Sequence, residues 1–245
     1  MIKKISALFV VASLGAAVLL TAAFAAVTLG DSLKAITYDG NDPQAFGEFS
    51  PATVTTNEAD LDAIYSQASF GASTVDIRYN AIKTLTDASL LTVTTPAGLN
   101  ALLNNAIGDA SPTVNMYFID TLDECSGFNP AIVGCAHFPG HNLVVESAFA
   151  AGVDGPEVQG HELGHNLSLP HVVPANLMTG TINQNTTLDA GQVTTILLSA
   201  LIQTDGGGQR FISITPILVQ APIPEPTVTA LFGLAGILLI GRRRR

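Results

Sequence analysis

The stretch Glu157-Val158-Gln159-Gly160-His161-Glu162-Leu163-Gly164-His165-Asn166-Leu167-Ser168-Leu169-Pro170-His171 decides how the rest of the chain is read. At 3.6 residues per turn, positions four apart stack on one face of an α-helix, so His161 and His165 can direct two imidazole nitrogens at one point. Glu162 is one residue round from His161, displaced from that point yet near enough to take a proton from a water held there. His171 lies six residues beyond His165, out of reach on the same helix face but reachable if the helix stops and the chain turns back. Three imidazoles leave a fourth position for water, which is the open tetrahedral arrangement of catalytic zinc. Upstream, Asp154 is a good N-cap, Pro156 suits a first turn, and Glu157 stands three residues after Asp154 in a capping-box pattern.

The run His161-Glu162-x-x-His165-x-x-Ser168-x-x-His171, followed by Asn176-Leu177-Met178, resembles the metzincin zinc metalloproteases. That resemblance implies His161, His165 and His171 as zinc ligands, Glu162 as general base, and Met178 as the methionine of a turn beneath the metal. It implies an α+β fold: a mixed twisted sheet with an antiparallel edge strand, an active-site helix and a C-terminal helix. It also implies that the strand containing Asn142, Leu143, Val144 and Val145 is the sheet edge above the cleft. A peptide substrate would lie antiparallel to that edge, whose unpaired N–H and C=O groups can hold an extended chain. Two positions depart from the family pattern. Ser168 stands where the family places a Gly in the left-handed conformation, and Gly180 stands where several members carry a Tyr.

Both ends of the 245-residue chain read as addresses. Residues 1–25 open with Lys3 and Lys4, continue as an apolar run, and close on Ala23-Phe24-Ala25, the order of a secretory signal peptide. At the other end, Pro224-Glu225-Pro226 precedes a short apolar stretch and Arg242, Arg243, Arg244 and Arg245. Residues 224–245 are similar to the PEP-CTERM sorting signal of Gram-negative bacteria. The similarity implies transient anchoring in the membrane and recognition by an exosortase-type sorting enzyme, with the basic tail on the cytoplasmic side. Six of the ten basic residues and one of the twenty acidic residues fall in these two segments. The remainder carries a net charge near −15, without the clustered Lys and Arg that nucleic acid binding requires.

Between the addresses, the expected catalytic domain covers residues 26–205. Residues 26–70 are either part of it or a removable N-terminal extension. A linker is expected over 206–223, although residues 210–219 also fit a last strand. The spacing predicts an amphipathic helix over 57–67 with Leu61, Ile64 and Tyr65 on one face, a strand over 74–79, and a helix opening at Thr95-Pro96 and running to about 107. Further strands are expected over 114–119 and 141–147, and a packing helix over 188–202. The two cysteines, Cys125 and Cys135, are ten apart in a loop, and in an exported protein they read most simply as a disulfide. His137 and His141 are four apart, but Pro139 and Gly140 between them exclude a helix, so they read as cleft-rim residues.

The sequence thus points to an exported zinc-dependent endopeptidase of the cell envelope or extracellular matrix of a Gram-negative bacterium, acting on protein or peptide substrates. The alternative is a non-catalytic matrix or surface protein with a structural or vestigial zinc site.

Overall fold

The computed structural model describes residues 53–173 and 176–222. The signal segment 1–25, residues 26–52 and the sorting segment 224–245 lie outside the described residues. Among the described residues no helix is long and apolar enough to cross a membrane.

Two strand-forming runs set the architecture. Residues 114–119 alternate so that Val114, Met116 and Phe118 face one core while Tyr117 and Ile119 face another, and all are buried. A strand apolar on both faces must be covered on both, which is the signature of a central, parallel strand. In chain order the elements are α1 (Glu58–Tyr65), β1 (Val75–Tyr79), β2 (Lys83–Thr86), β3 (Thr92–Val93), α2 (Pro96–Leu103), β4 (Val114–Ile119) and β5 (Thr121–Leu122). These are followed by β6 (Gly134–Ala136), β7 (Asn142–Glu146), α3 (Ser147–Ala150), α4 (Gly155–Asn166), α5 (Ala190–Leu197), β8 (Gln203–Thr204) and β9 (Arg210–Gln220).

The main sheet runs β1-β9-β4-β7-β6, with β2 and β8 also paired to β9. Pairings of β9 with β1, β2 and β4, and of β4 with β7, are parallel; β6 with β7 and β8 with β9 are antiparallel. The sheet is therefore mixed and mostly parallel, an α/β arrangement rather than the expected α+β. The small β3–β5 sheet is separate. One face packs Leu61, Ile64 and Tyr65 of α1, Val158 and Leu163 of α4, and Val193 and Ile196 of α5. The other is covered by Leu102 and Leu103 of α2 with Leu90, Val93 and Leu122.

The expected linker is the hub of the sheet. Asp205 accepts backbone hydrogen bonds from Gly207 and Gln209 through its carboxylate, and Gly208 takes a φ of 84°, so 205–209 is a hairpin turn between β8 and β9. The domain therefore extends to about residue 220: the helix expected over 188–202 is present as α5, and residues 210–219, read as a last strand or part of the linker, form the strand β9. Pro216 in the middle of β9 argues against a central strand, because it cannot donate to a ladder. Here β1 ends at Tyr79 opposite Ile214, and β2 begins at Lys83 opposite Ile217. Ile214 accepts from the Asn80 amide on that side, and Pro216, two residues on, faces the same way. The proline thus sits at the break between β1 and β2.

Residues 54–70 are built into the domain rather than appended to it. The Tyr65 hydroxyl donates to the Gly160 carbonyl of α4 (2.9 Å), and the Gln159 side-chain amide to the Thr55 carbonyl (2.6 Å). A Cβ at Gly160 would stand 3.1 Å from Ile64 Cδ1, so α1 and α4 approach closely there. The central role of β9 gives a direct test. Ile214→Ala, at a fully buried position, is expected to cost about 2–5 kcal/mol in a denaturant melt; a linker residue would tolerate it within about 0.5 kcal/mol.

Candidate metal centre

Helix α4 carries His161, Glu162 and His165. Its start differs from the expected capping box: Asp154 is the N-cap residue but makes no side-chain cap bond. The Glu157 carboxylate instead accepts from the backbone N–H groups of Asn183 (2.8 Å) and Gln184 (2.7 Å), pinning the segment that follows Met178 to the helix.

The helix end brings the third histidine round. Ser168 takes a φ of 73°, the left-handed conformation for which the family pattern uses Gly. The Ser168 N–H bonds the His165 carbonyl (3.0 Å) and the Leu169 N–H the Gly164 carbonyl (2.9 Å), the paired bonds of a Schellman stop. A β-carbon in this region costs about 1–2 kcal/mol, and the two bonds that satisfy the helix's last carbonyls offset part of it. Ser168 therefore does not prevent the turn. Past it, His171 Nε2 lies 3.1 Å from Nε2 of His161 and 3.1 Å from Nε2 of His165. A tetrahedral ion with ligand bonds of about 2.0–2.1 Å separates its ligand atoms by about 3.3 Å. The three imidazoles are thus spaced to hold a metal ion, and among the described residues they are the group of three or more metal-ligating side chains that converges.

Each helical ligand is oriented through its other nitrogen. His161 Nδ1 lies 2.7 Å from the Leu177 carbonyl, and His165 Nδ1 lies 2.8 Å from the Leu169 carbonyl. A carbonyl can only accept, so each Nδ1 carries the proton and each Nε2 is left as a free lone pair facing the centre. Burial pushes the His161 imidazole down to about 4 and lowers His165, which keeps both rings in the neutral, metal-binding form at neutral pH. Leu169 belongs to the helix stop and Leu177 to the turn around Met178, so the two turns that deliver His171 also orient its partners.

Met178 is fully buried. A Cβ at Gly164 would come within 2.5 Å of its sulfur, so the methionine fills the space that a glycine on α4 leaves open. Its turn is closed by Asn176, whose side chain accepts from the Met178 N–H (2.8 Å) and whose carbonyl accepts from Thr179 (3.1 Å). Gly180 packs against the His171 ring; a Cβ there would stand 3.2 Å from Nδ1.

Glu162 is 7% exposed. Burial in an apolar surround pushes its carboxyl up to about 8. A Cβ at Gly134 would fall 2.7 Å from its Oε1, which places the carboxylate against the backbone of β6. That strand corrects the expected edge. Asn142, Leu143, Val144 and Val145 lie in β7, which is paired on both sides, to β4 and to β6. The free edge is β6, antiparallel as the family pattern implies but located at Gly134–Ala136. The Val133 carbonyl accepts from Glu146 and the His137 N–H donates to Asn142, so odd-numbered residues turn their backbone groups to β7. Gly134 and Ala136 turn theirs outward. Sequence reasoning missed this strand because three residues flanked by a disulfide loop carry no periodicity; the Gly-Cys-Ala before His137 was the available signal.

Cys125 and Cys135 are joined in a disulfide. His137 and His141 lie in the β6–β7 connection, where the Asn166 side chain at the end of α4 donates to the His137 and Asn142 carbonyls (2.9 and 3.1 Å). Phe138, 55% exposed, meets the His165 ring edge-on at 5.9 Å.

The burial of Glu162 predicts a pH signature in the metal-free protein. A carboxyl raised above its unfolded value contributes stability that is complete at acid pH and is lost as pH rises through about 8. Metal-free Glu162→Gln should therefore gain on wild type in thermal melts taken from pH 5 to pH 8, the difference widening with pH. A pH-independent difference would mean that the carboxyl is not desolvated.

No protein-family model matches this chain, and no curated protein matches it.

Proposed function

We propose that this protein is a zinc-dependent endopeptidase with a metzincin-like catalytic domain. The observation that carries the proposal is the convergence of three imidazole Nε2 atoms beside a buried carboxylate, under a free strand edge. Imidazole ligands suit zinc, and three of them leave a coordination position for water or substrate. When bound, zinc supplies Lewis-acid chemistry, polarising a carbonyl and acidifying water.

The remaining work falls to the chain's own groups. His161, His165 and His171 hold the ion. Gly134 and Ala136 offer outward N–H and C=O groups along which an extended substrate pairs antiparallel, whatever its side chains. Glu162 takes a proton from the attacking water and returns it to the leaving amine. A carboxyl raised by burial is a better base than an exposed one, and the charge of a nearby cation draws it back toward the ionised form that accepts the proton. Gly180 offers no hydroxyl at the place where several metzincins carry a Tyr, so position 180 supplies no side-chain donor to a developing oxyanion. That same vacancy favours the second reading, a non-catalytic surface or matrix protein with a vestigial site.

The setting follows from the two terminal segments. The signal peptide exports the chain, and the PEP-CTERM-like tail holds it at the membrane until an exosortase-type enzyme acts, leaving the domain at the Gram-negative envelope or in the matrix. A disulfide and a strongly acidic domain fit that compartment.

Digestion of an unstructured protein such as casein by the purified metal-loaded chain tests the reading. Wild type should cleave it and a chelator should stop it. Glu162→Ala should keep stoichiometric zinc while losing at least about 100-fold in rate, the scale of a general base. A wild type that binds zinc and cleaves nothing would establish the non-catalytic alternative.

A further inference from the structure

The disulfide sits behind the active edge. β6 is three residues long and is paired on one side only, to β7. Its outer residues, Gly134 and Ala136, have outward backbone groups, and Gly134 lies against the Glu162 carboxylate. Its middle residue, Cys135, points the opposite way: it is buried in the second core with Tyr117 and Val144, and is bonded there to Cys125. Such a short edge strand has few ladder bonds to hold it, and edge backbones open first in local unfolding.

The loop that carries Cys125 is itself anchored. Asp123 donates its N–H to the Val93 carbonyl (2.8 Å) and accepts from Asn129 (2.8 Å). The Leu122 N–H donates to the Glu146 carboxylate at the end of β7 (2.8 Å), and the buried Glu124 carboxylate accepts from Gly127 (2.7 Å). Cys125 is thus a fixed post, and Cys135 is tied to it on the face away from the metal.

We propose that the Cys125–Cys135 disulfide is a positioning element for the reaction: it holds β6 flat against β7, so that Gly134 and Ala136 stay registered for substrate and Gly134 keeps its place beside Glu162. The inference rests on the peptidase reading for its consequence, but its structural half stands apart from it. A bond serving stability alone would act on the domain as a whole. A positioning bond acts on residues 133–137 and on how substrate length is rewarded, because only a peptide extended along the strand uses the free edge.

The test compares the metal-loaded full chain with its Cys125→Ser/Cys135→Ser double variant. Should the variant not fold, wild type reduced by a phosphine under native conditions replaces it. Two readouts are taken: amide hydrogen exchange, and kcat/KM on two peptides that share a scissile bond and extend one or four residues to its N-terminal side. The positioning role predicts exchange at least tenfold faster over 133–137 with α4 unchanged and zinc retained. It also predicts that wild type prefers the long peptide by at least tenfold, and that this preference falls below about threefold without the disulfide, through KM. Protection of 133–137 that survives loss of the bond overturns the proposal, as does an unchanged preference for the long peptide. Faster exchange over 133–137 in a protein that cleaves neither peptide would support the positioning role and refute the peptidase reading instead.

Discussion

The convergence of the three imidazoles that could hold a metal ion depends on a chain reversal at Ser168. Two ligands from consecutive turns of α4 come at little cost, since a helix places i and i+4 together whatever else the fold does. The third does not, and it arrives because the helix ends in a left-handed residue whose two backbone bonds satisfy carbonyls that would otherwise be left bare. The same reversal exposes the Leu169 carbonyl to His165 Nδ1, while the turn around Met178 offers the Leu177 carbonyl to His161 Nδ1. Ligand supply and ligand orientation are therefore one structural event. Gly164 belongs to it as well, since only a residue without a side chain lets the Met178 sulfur lie against α4.

The site is also where the fold gives up stability. Two imidazoles and a carboxylate are gathered in a surround that disfavours their charged forms: burial lowers His161 and His165 and raises Glu162. Groups that solvent would solvate better are held in place by a rigid scaffold, at a cost in folding stability. That scaffold is a sheet centred on β9, with α4 held to the N-terminal residues by the bonds from Tyr65 and Gln159.

Much of the site was legible in the sequence, because its logic is local. The spacing of His161, His165 and His171, the position of Glu162 and the methionine at 178 all depend on a single helix and the turns after it. The buried strand at 114–119, the helix face of Leu61, Ile64 and Tyr65, and the disulfide were equally readable. What could not be read was non-local. Residues 210–219 read equally as a last strand or as part of the linker, and that Pro216 can sit inside a central strand depends on the gap between β1 and β2, which the sequence does not display. The edge was assigned to 142–145 from the metzincin resemblance, whereas edge or centre depends on what pairs outside the strand, here β6. Glu157 looked like half of a capping box, and its carboxylate was claimed instead by Asn183 and Gln184, 26 and 27 residues away.

Metal analysis of purified wild type beside His171→Ala tests the central claim most directly. His171 is exposed, so its truncation removes a ligand without opening the core. Convergence of the three imidazoles on one ion predicts about one zinc per folded wild-type chain and at least a tenfold weaker hold in the variant, with its circular dichroism unchanged. Equal metal content in the two proteins, or none in wild type after incubation with zinc, would contradict it.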